Sequence, residues 1–192
     1  MARPALITAM GLSLPTMGEV GVRDLRKEER GGYTLIRARI GANARKESLP
    51  VLLYLPASKA MKGTVVIAHG EGKAALADIE SGGPGPLVKA LLADGRAVLA
   101  FDAFLIGEHN APGKRTDRLK KAFPDTFLPT DTAYRVQDTL TAIAYARGSE
   151  YARGPVAVVG IGEGGLWSLF AAGVDGDVRA ALIDADQFDA DN

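Results

Sequence analysis

The sequence predicts a three-layer α/β protein, a mainly parallel sheet between helices with an antiparallel hairpin at its N-terminal edge. Three observations carry this. Short runs with almost no polar relief, Thr64 to Ala68, Ala97 to Phe101 and Val156 to Val159, read as strands buried on both faces. Between them lie stretches with apolar residues at helical spacing, and that alternation builds parallel sheets. The material available, 192 residues of which 47% are hydrophobic and 24% charged, suits one domain with a sizeable core. Residues 1–20 are expected to form an N-terminal segment and 21–192 a single domain that is short at its C-terminal end.

Taken in order, Val22 to Arg30 and Tyr33 to Ile40 flank Gly31-Gly32 and predict the hairpin. The charge run Arg23 to Arg30 reads as a solvated strand face. Pro50 to Leu55 and Thr64 to Ala68 are further strands, the second ending in His69-Gly70-Glu71-Gly72. After a loop rich in Gly and Pro (82–86), Leu87 to Ala93 predicts a short helix stopped at Gly95. Ala97 to Phe101 then predicts a strand ending in Asp102. Residues 104–130 hold Gly107, Pro112, Gly113, Pro124 and Pro129 among many charges, and read as a long surface excursion of a kind that is often functional. Asp131 is the expected cap of a crossover helix with Tyr134, Val136, Leu140 and Ile143 at helical spacing, ending at Gly148. Val156 to Val159 turns through Gly160-Ile161-Gly162-Glu163-Gly164-Gly165 into a helix containing Leu166, Trp167, Leu169 and Phe170. A last strand, Ala180 to Ile183, leads into an acidic tail with Asp184, Asp186, Asp189 and Asp191.

Charge and composition narrow the function. With 23 basic and 23 acidic side chains the formal net charge is zero, so no global field gathers nucleic acid or an anionic membrane. The absence of cysteine removes thiolate nucleophiles and thiolate metal sites without fixing a compartment. No stretch approaches a membrane-spanning length, and the apolar run from Pro4 to Pro15 lacks a convincing cleavage site, so a soluble, cytoplasmic protein is expected.

Chemistry is expected at the glycine-rich turn, since parallel sheets bind ligands at the carboxyl ends of their strands. Strand, tight turn and helix in that order make a nucleophile elbow, where GxSxG supplies small residues around a strained nucleophile. Gly160, Gly164 and Gly165 meet that demand, but the nucleophile position is Gly162, which has no side chain to attack a carbonyl. Glu163 lies one residue beyond the tip and is expected to turn away from the cleft or join the first helical turn, where a carboxylate suits the dipole. If it faced the cleft it could orient water or bind a polar substrate. His69 reads as a loop-shaping histidine and His109 as a surface one rather than as general bases. Asp184 and Asp186 stand at a strand end where an acid could act, although carboxylates there also satisfy turns. Neither His69 with Glu71 nor Glu108 with His109 makes a metal site, so no metal is expected.

From about Tyr33 onward the chain resembles the acetylxylan esterase and dienelactone hydrolase branch of the α/β-hydrolases. GTVVIAHGEG (63–72) resembles the family's strand and oxyanion loop. AVLAFDAFLIGE (97–108) resembles the next strand and its DxxxxGE loop, and YRVQDTLTAIAYAR (134–147) the helix before the elbow, which GIGEGG completes. A bacterial subgroup often labelled acetylxylan esterases is similar in particular, because its elbow reads GxGEAG and also lacks serine. The resemblance implies an α/β-hydrolase-like fold, kinship with carboxylic-ester hydrolases, a small-molecule ester or carbohydrate-ester ligand and no cofactor. It also implies an oxyanion site around His69, Gly70, Glu71 and Gly72. The family places its acid after a later strand and its histidine near the domain's end, whereas only about thirty residues follow Gly162. The chain therefore reads as a fragment of a longer protein or a minimal version of the fold, catalytically impaired as written.

Two other classes compete. The residues 160–165 also match GxGxxG, and Asp184 lies nineteen residues past Gly165, near where a dinucleotide-binding fold places its ribose acid. Against this, such a fingerprint normally opens its sheet. The third reading is a non-catalytic binding or scaffold module that keeps the turn and lacks the nucleophile.

Overall fold

The computed structural model describes residues 2–16, 18–58, 60–78, 83–109 and 129–184. Its strands are β1 (Val20–Arg30), β2 (Tyr33–Ala42), β3 (Leu49–Pro56), β4 (Gly63–His69), β5 (Arg96–Phe101), β6 (Val156–Ile161) and β7 (Ala180–Ile183). They form one sheet in the order β1-β2-β3-β5-β4-β6-β7. The described helices are α1 (Ala2–Met10), α2 (Pro86–Ala93), α3 (Asp131–Gly148) and α4 (Glu163–Asp175). β1, β2 and β3 pair antiparallel, as does β3 with β5, while β5, β4, β6 and β7 run parallel. The three-layer α/β-hydrolase-like arrangement expected from the sequence is present, with the hairpin of β1 and β2 closing at Gly31-Gly32.

The unrelieved apolar strands follow from burial on two faces. Along β4, Val66 and Ala68 pack into the core shared with α3 and α4, while Val65 and Ile67 point to the opposite core beneath α2. Leu140 and Ile143 of α3, Trp167 and Ala171 of α4, and Leu6, Ile7 and Met10 of α1 all join the first of these cores. α1 is thus a packed helix within the segment 1–20.

One local expectation changes. The cap of α3 is Thr130, whose hydroxyl accepts the Ala133 amide at 3.1 Å; Asp131 instead sits in the first turn, where its carboxylate suits the dipole. β7 is entirely apolar yet mostly exposed, Leu182 at 69%, because it forms the sheet's edge. Asp186, Asp189, Asp191 and most of the long excursion, residues 110–128, lie outside the described residues. No described helix is long and apolar enough to cross a membrane.

Asp138 on α3 ties this helix to the segment after β5 by accepting the Phe104 amide at 2.7 Å. Burial pushes its pKa up to about 8, with Glu47 adding to the rise and the Phe104 bond opposing it. In the unfolded chain the same carboxyl titrates near pH 3.9. The folded form therefore holds an extra proton between about pH 4 and pH 8, and stability falls as pH rises through that window. Asp138→Asn is expected to flatten this fall, read as urea midpoints near pH 5 and near pH 8. Midpoints of the two proteins that change in parallel with pH would contradict this role for Asp138.

Candidate functional site

The chain leaves β4 through α2 to reach β5 on one side, then returns through α3 to β6 on the other. α2 covers one face of the sheet and α3 the opposite one. This reversal makes the carboxyl ends of β4 and β6 a topological switch point, where open α/β sheets form their ligand crevice. His69 of β4 is paired with Ile161 of β6, so the His69–Gly72 turn and the Gly160–Gly165 turn lie side by side.

Glycines set the shape of the second turn. Gly162 adopts φ 61° and ψ −135°, a backbone region that side chains disfavour, and a Cβ there would meet nothing within 4 Å. Its neighbours have no such room. A Cβ on Gly160 would lie 2.6 Å from the Gly164 carbonyl oxygen and Gly165 Cα, and one on Gly164 would run into the Ala68 carbonyl. Gly70 faces the start of α4, with Glu163 N 3.1 Å from where its Cβ would be. The tip of the turn is thus open while its base is closed tightly on β4.

Glu163 is the first residue of α4, and its side chain is 69% exposed. Its Oε2 accepts a bond from Arg135 Nη1 at 3.0 Å. Arg135 is itself fixed, donating from Nε to the Phe104 carbonyl at 3.2 Å and lying 4.8 Å from the centre of the Trp167 ring. The carboxylate stands beside the tip on a rigid cationic mount.

The first turn spends its polar groups internally. Gly70 N donates to the Ile161 carbonyl at 3.0 Å, Glu71 N to His69 Nδ1 at 3.1 Å, and Gly72 N to the His69 carbonyl at 2.9 Å. His69 therefore shapes its own turn, and a ligand carbonyl received by these amides competes with bonds already made. The Glu163 amide opens α4, where no intrahelical acceptor exists.

The structure gives the Asp102 of the DxxxxGE pattern a partner that the sequence did not mark, Lys73. Asp102, at the end of β5, is almost fully buried and accepts the Lys73 amide at 2.8 Å, the Lys73 ammonium and the Glu108 amide at 3.0 Å. Lys73 Nζ also donates to Glu108 Oε1 at 2.6 Å. A Cβ on Gly72 would lie 2.5 Å from Asp102 Oδ1, and one on Gly107 would strike the same carboxylate. Asp102 thereby clamps the loops after β4 and β5 together, which gives the Asp102…Gly107-Glu108 spacing a physical reason. Only the buried lysine and Arg135 lacked any signal, since nothing in the local sequence says that either is buried.

The remaining candidates are dispersed. Asp184 ends β7, and its amide donates to the Gly160 carbonyl at 2.8 Å, which places it beside the base of the turn. Asp186 lies outside the described residues. His109 Nε2 is 2.6 Å from the Ser48 carbonyl, held to the segment before β3. Among the described residues no three His, Asp or Glu side chains gather as a metal site.

No protein-family model matches the chain, and no curated protein matches it in sequence. Solved structures share its fold. A putative acetyl xylan esterase from Bacteroides fragilis superposes with a TM-score of 0.70 at 15% identity, over 93% of this chain and 50% of its own. A promiscuous CE15 esterase from a marine bacterial metagenome gives 0.62 at 15% identity, over 92% and 54%. Acetyl Xylan Esterase 1 from Thermoanaerobacterium gives 0.58 at 15% identity, over 94% and 62%. The chain therefore spans about half to three fifths of the length of these neighbours.

The two kinds of glycine predict different outcomes. Gly164→Ala forces α4 away from β4 and is expected to destabilise the fold by about 2 kcal/mol or more, as an overpacked contact does. Gly162→Ala meets only backbone strain, about 1–3 kcal/mol, with no atom in its way. Urea unfolding of both variants checks the order, and a Gly162→Ala that is the less stable of the two contradicts it.

Proposed function

We propose that this chain is an α/β-hydrolase-like protein, related to carboxylic-ester hydrolases, whose crevice receives a small ester or carbohydrate-ester ligand without acylating. The observation that carries the proposal is Gly162 itself: a residue at positive φ at the tip of a strand–turn–helix, with open space where a side chain would stand and no atom to attack a carbonyl. The fold shared with esterases supports the ligand class. In this reading the Glu163 amide donates to the ligand's carbonyl oxygen, with the amides of the His69–Gly72 turn as further donors once their internal bonds yield. Hydrogen bonds to the carbonyl lower the energy of a developing oxyanion, but acyl transfer also needs a nucleophile and a base. His69 Nδ1 is committed to the Glu71 amide, and His109 bonds to the Ser48 carbonyl on the segment before β3 rather than to the turn at Gly162, so this reading assigns neither imidazole as the base.

Hydrolysis of p-nitrophenyl acetate tests the proposal, comparing the native chain, Gly162→Ser and heat-denatured controls. The native chain is expected to match its denatured control and to gain no acetyl adduct by intact mass. Gly162→Ser is expected to gain no adduct either, because the position has room for a hydroxyl but no imidazole beside it to activate one; an adduct at residue 162 would reveal a base at the crevice. Saturable turnover by the native chain would sink the proposal and direct attention to Glu163. A fluorescence change on adding NAD, with no effect of esters, would favour the dinucleotide reading instead.

A further inference from the structure

The run Arg23 to Arg30 is largely solvent-exposed, as a strand face should be, yet two of its cations face like charges across the hairpin. Arg26 stands directly opposite Arg37, and Arg39 lies two residues further along β2 on the same face. Like charges placed directly opposite destabilise an antiparallel pair unless something neutralises them. Arg37 has Glu28 at 3.4 Å, and Arg39 has Glu108 at 3.3 Å and Asp24 at 4.0 Å. Arg26 has no carboxylate partner among the described residues.

These side chains wall a groove of about 510 Å³ on the sheet face, with Lys73 on the far wall. Leu25 and Leu52 give it an apolar lining, and Leu25 is 40% exposed. The pairing of β1 with β2 slips between Arg23 and Arg26, where Asp24 takes a positive φ of 54°, so a β-bulge lies at the groove's edge. Four cations line the groove; Arg37 meets Glu28, Lys73 meets Asp102 and Glu108, and Arg39 meets Glu108 and Asp24, which leaves Arg26 as the cation without a carboxylate among the described residues.

We propose that this groove is a binding site, separate from the crevice, for a small organic carboxylate with an apolar body. Arg26, without a carboxylate partner among the described residues, provides the fork for the ligand's carboxylate, whose planar geometry a guanidinium matches with two parallel bonds. Arg37 and Arg39, already paired with carboxylates, form the polar wall beside it, and the apolar part of the ligand lies against Leu25 and Leu52. Lys73 directly follows Gly72 and is clamped to Asp102, so the groove shares a wall with the turn at the crevice.

Titration of the isotopically labelled chain with sodium benzoate, followed by amide chemical shifts, tests this against neutral benzamide. Benzoate is expected to shift the amides of Leu25, Ala38 and Leu52 saturably, benzamide to leave them unmoved, and added salt to weaken the binding. Arg26→Gln is expected to weaken benzoate about tenfold, the loss of one charge-assisted contact. Arg96→Gln, at the far end of β5, should leave binding unchanged. Equal shifts from benzamide, no saturable shifts, or undiminished binding by Arg26→Gln would each overturn the proposal. Shifts confined to the His69–Gly72 and Glu163–Gly165 amides would overturn it as well, while supporting the crevice as the carboxylate site.

Discussion

The close approach of α4 to the end of β4 is the constraint on which the site depends. Gly164 lies against the Ala68 carbonyl, and Gly160 lies against the first turn of the helix, at separations that no Cβ permits. Because these backbones touch, the turn between them must reverse within a very short span, and Gly162 absorbs the reversal at a positive φ. The same contact brings the start of α4 beside Gly70. A helix N-terminus and a glycine-rich strand end thus face one crevice, with partial positive charge from unpaired amides directed at it.

A second constraint holds the crevice's other side. Asp102 is buried with Lys73, and it gathers two backbone amides besides the ammonium. A buried carboxylate is tolerated only when its lone pairs are satisfied, and here the partners come from the loops after two different strands. Removing the carboxylate would leave the Lys73 ammonium buried beside Glu108 alone. The clamp therefore fixes the position of the His69–Gly72 turn from behind, as Arg135 fixes Glu163 on the other side.

Much of the fold was legible because its signals are local or periodic. Val65, Val66 and Ile67 have no polar residue among them, since the two faces of β4 enter two different cores. Gly31-Gly32 marked the hairpin, and Gly148 the end of α3. The glycines of the 160–165 turn pointed to a tight strand-to-helix reversal, because only a crowded backbone requires so many of them. Less was legible where the cause is tertiary. Thr130 outcompeted Asp131 as the cap by its position relative to the first helical amides, which two adjacent capping residues leave open in sequence. Lys73 and Arg135 resemble any surface cation until the chain folds over them. The exposure of β7 follows from its place at the sheet's edge, which its apolar residues do not announce.

Gly162 is an open position at positive φ beside a helix N-terminus, and the absence of native cysteine allows that placement to be tested with a single thiol. In Gly162→Cys the only thiol sits at the tip, and its pKa can be read from the pH dependence of alkylation by iodoacetamide. An accessible thiol at the start of α4 is expected to react readily and to titrate below the ordinary value of about 8.5, because the helix end favours the thiolate. A thiol that resists alkylation in the folded protein, or that titrates at or above the ordinary value, would contradict the placement of Gly162 at the mouth of the crevice.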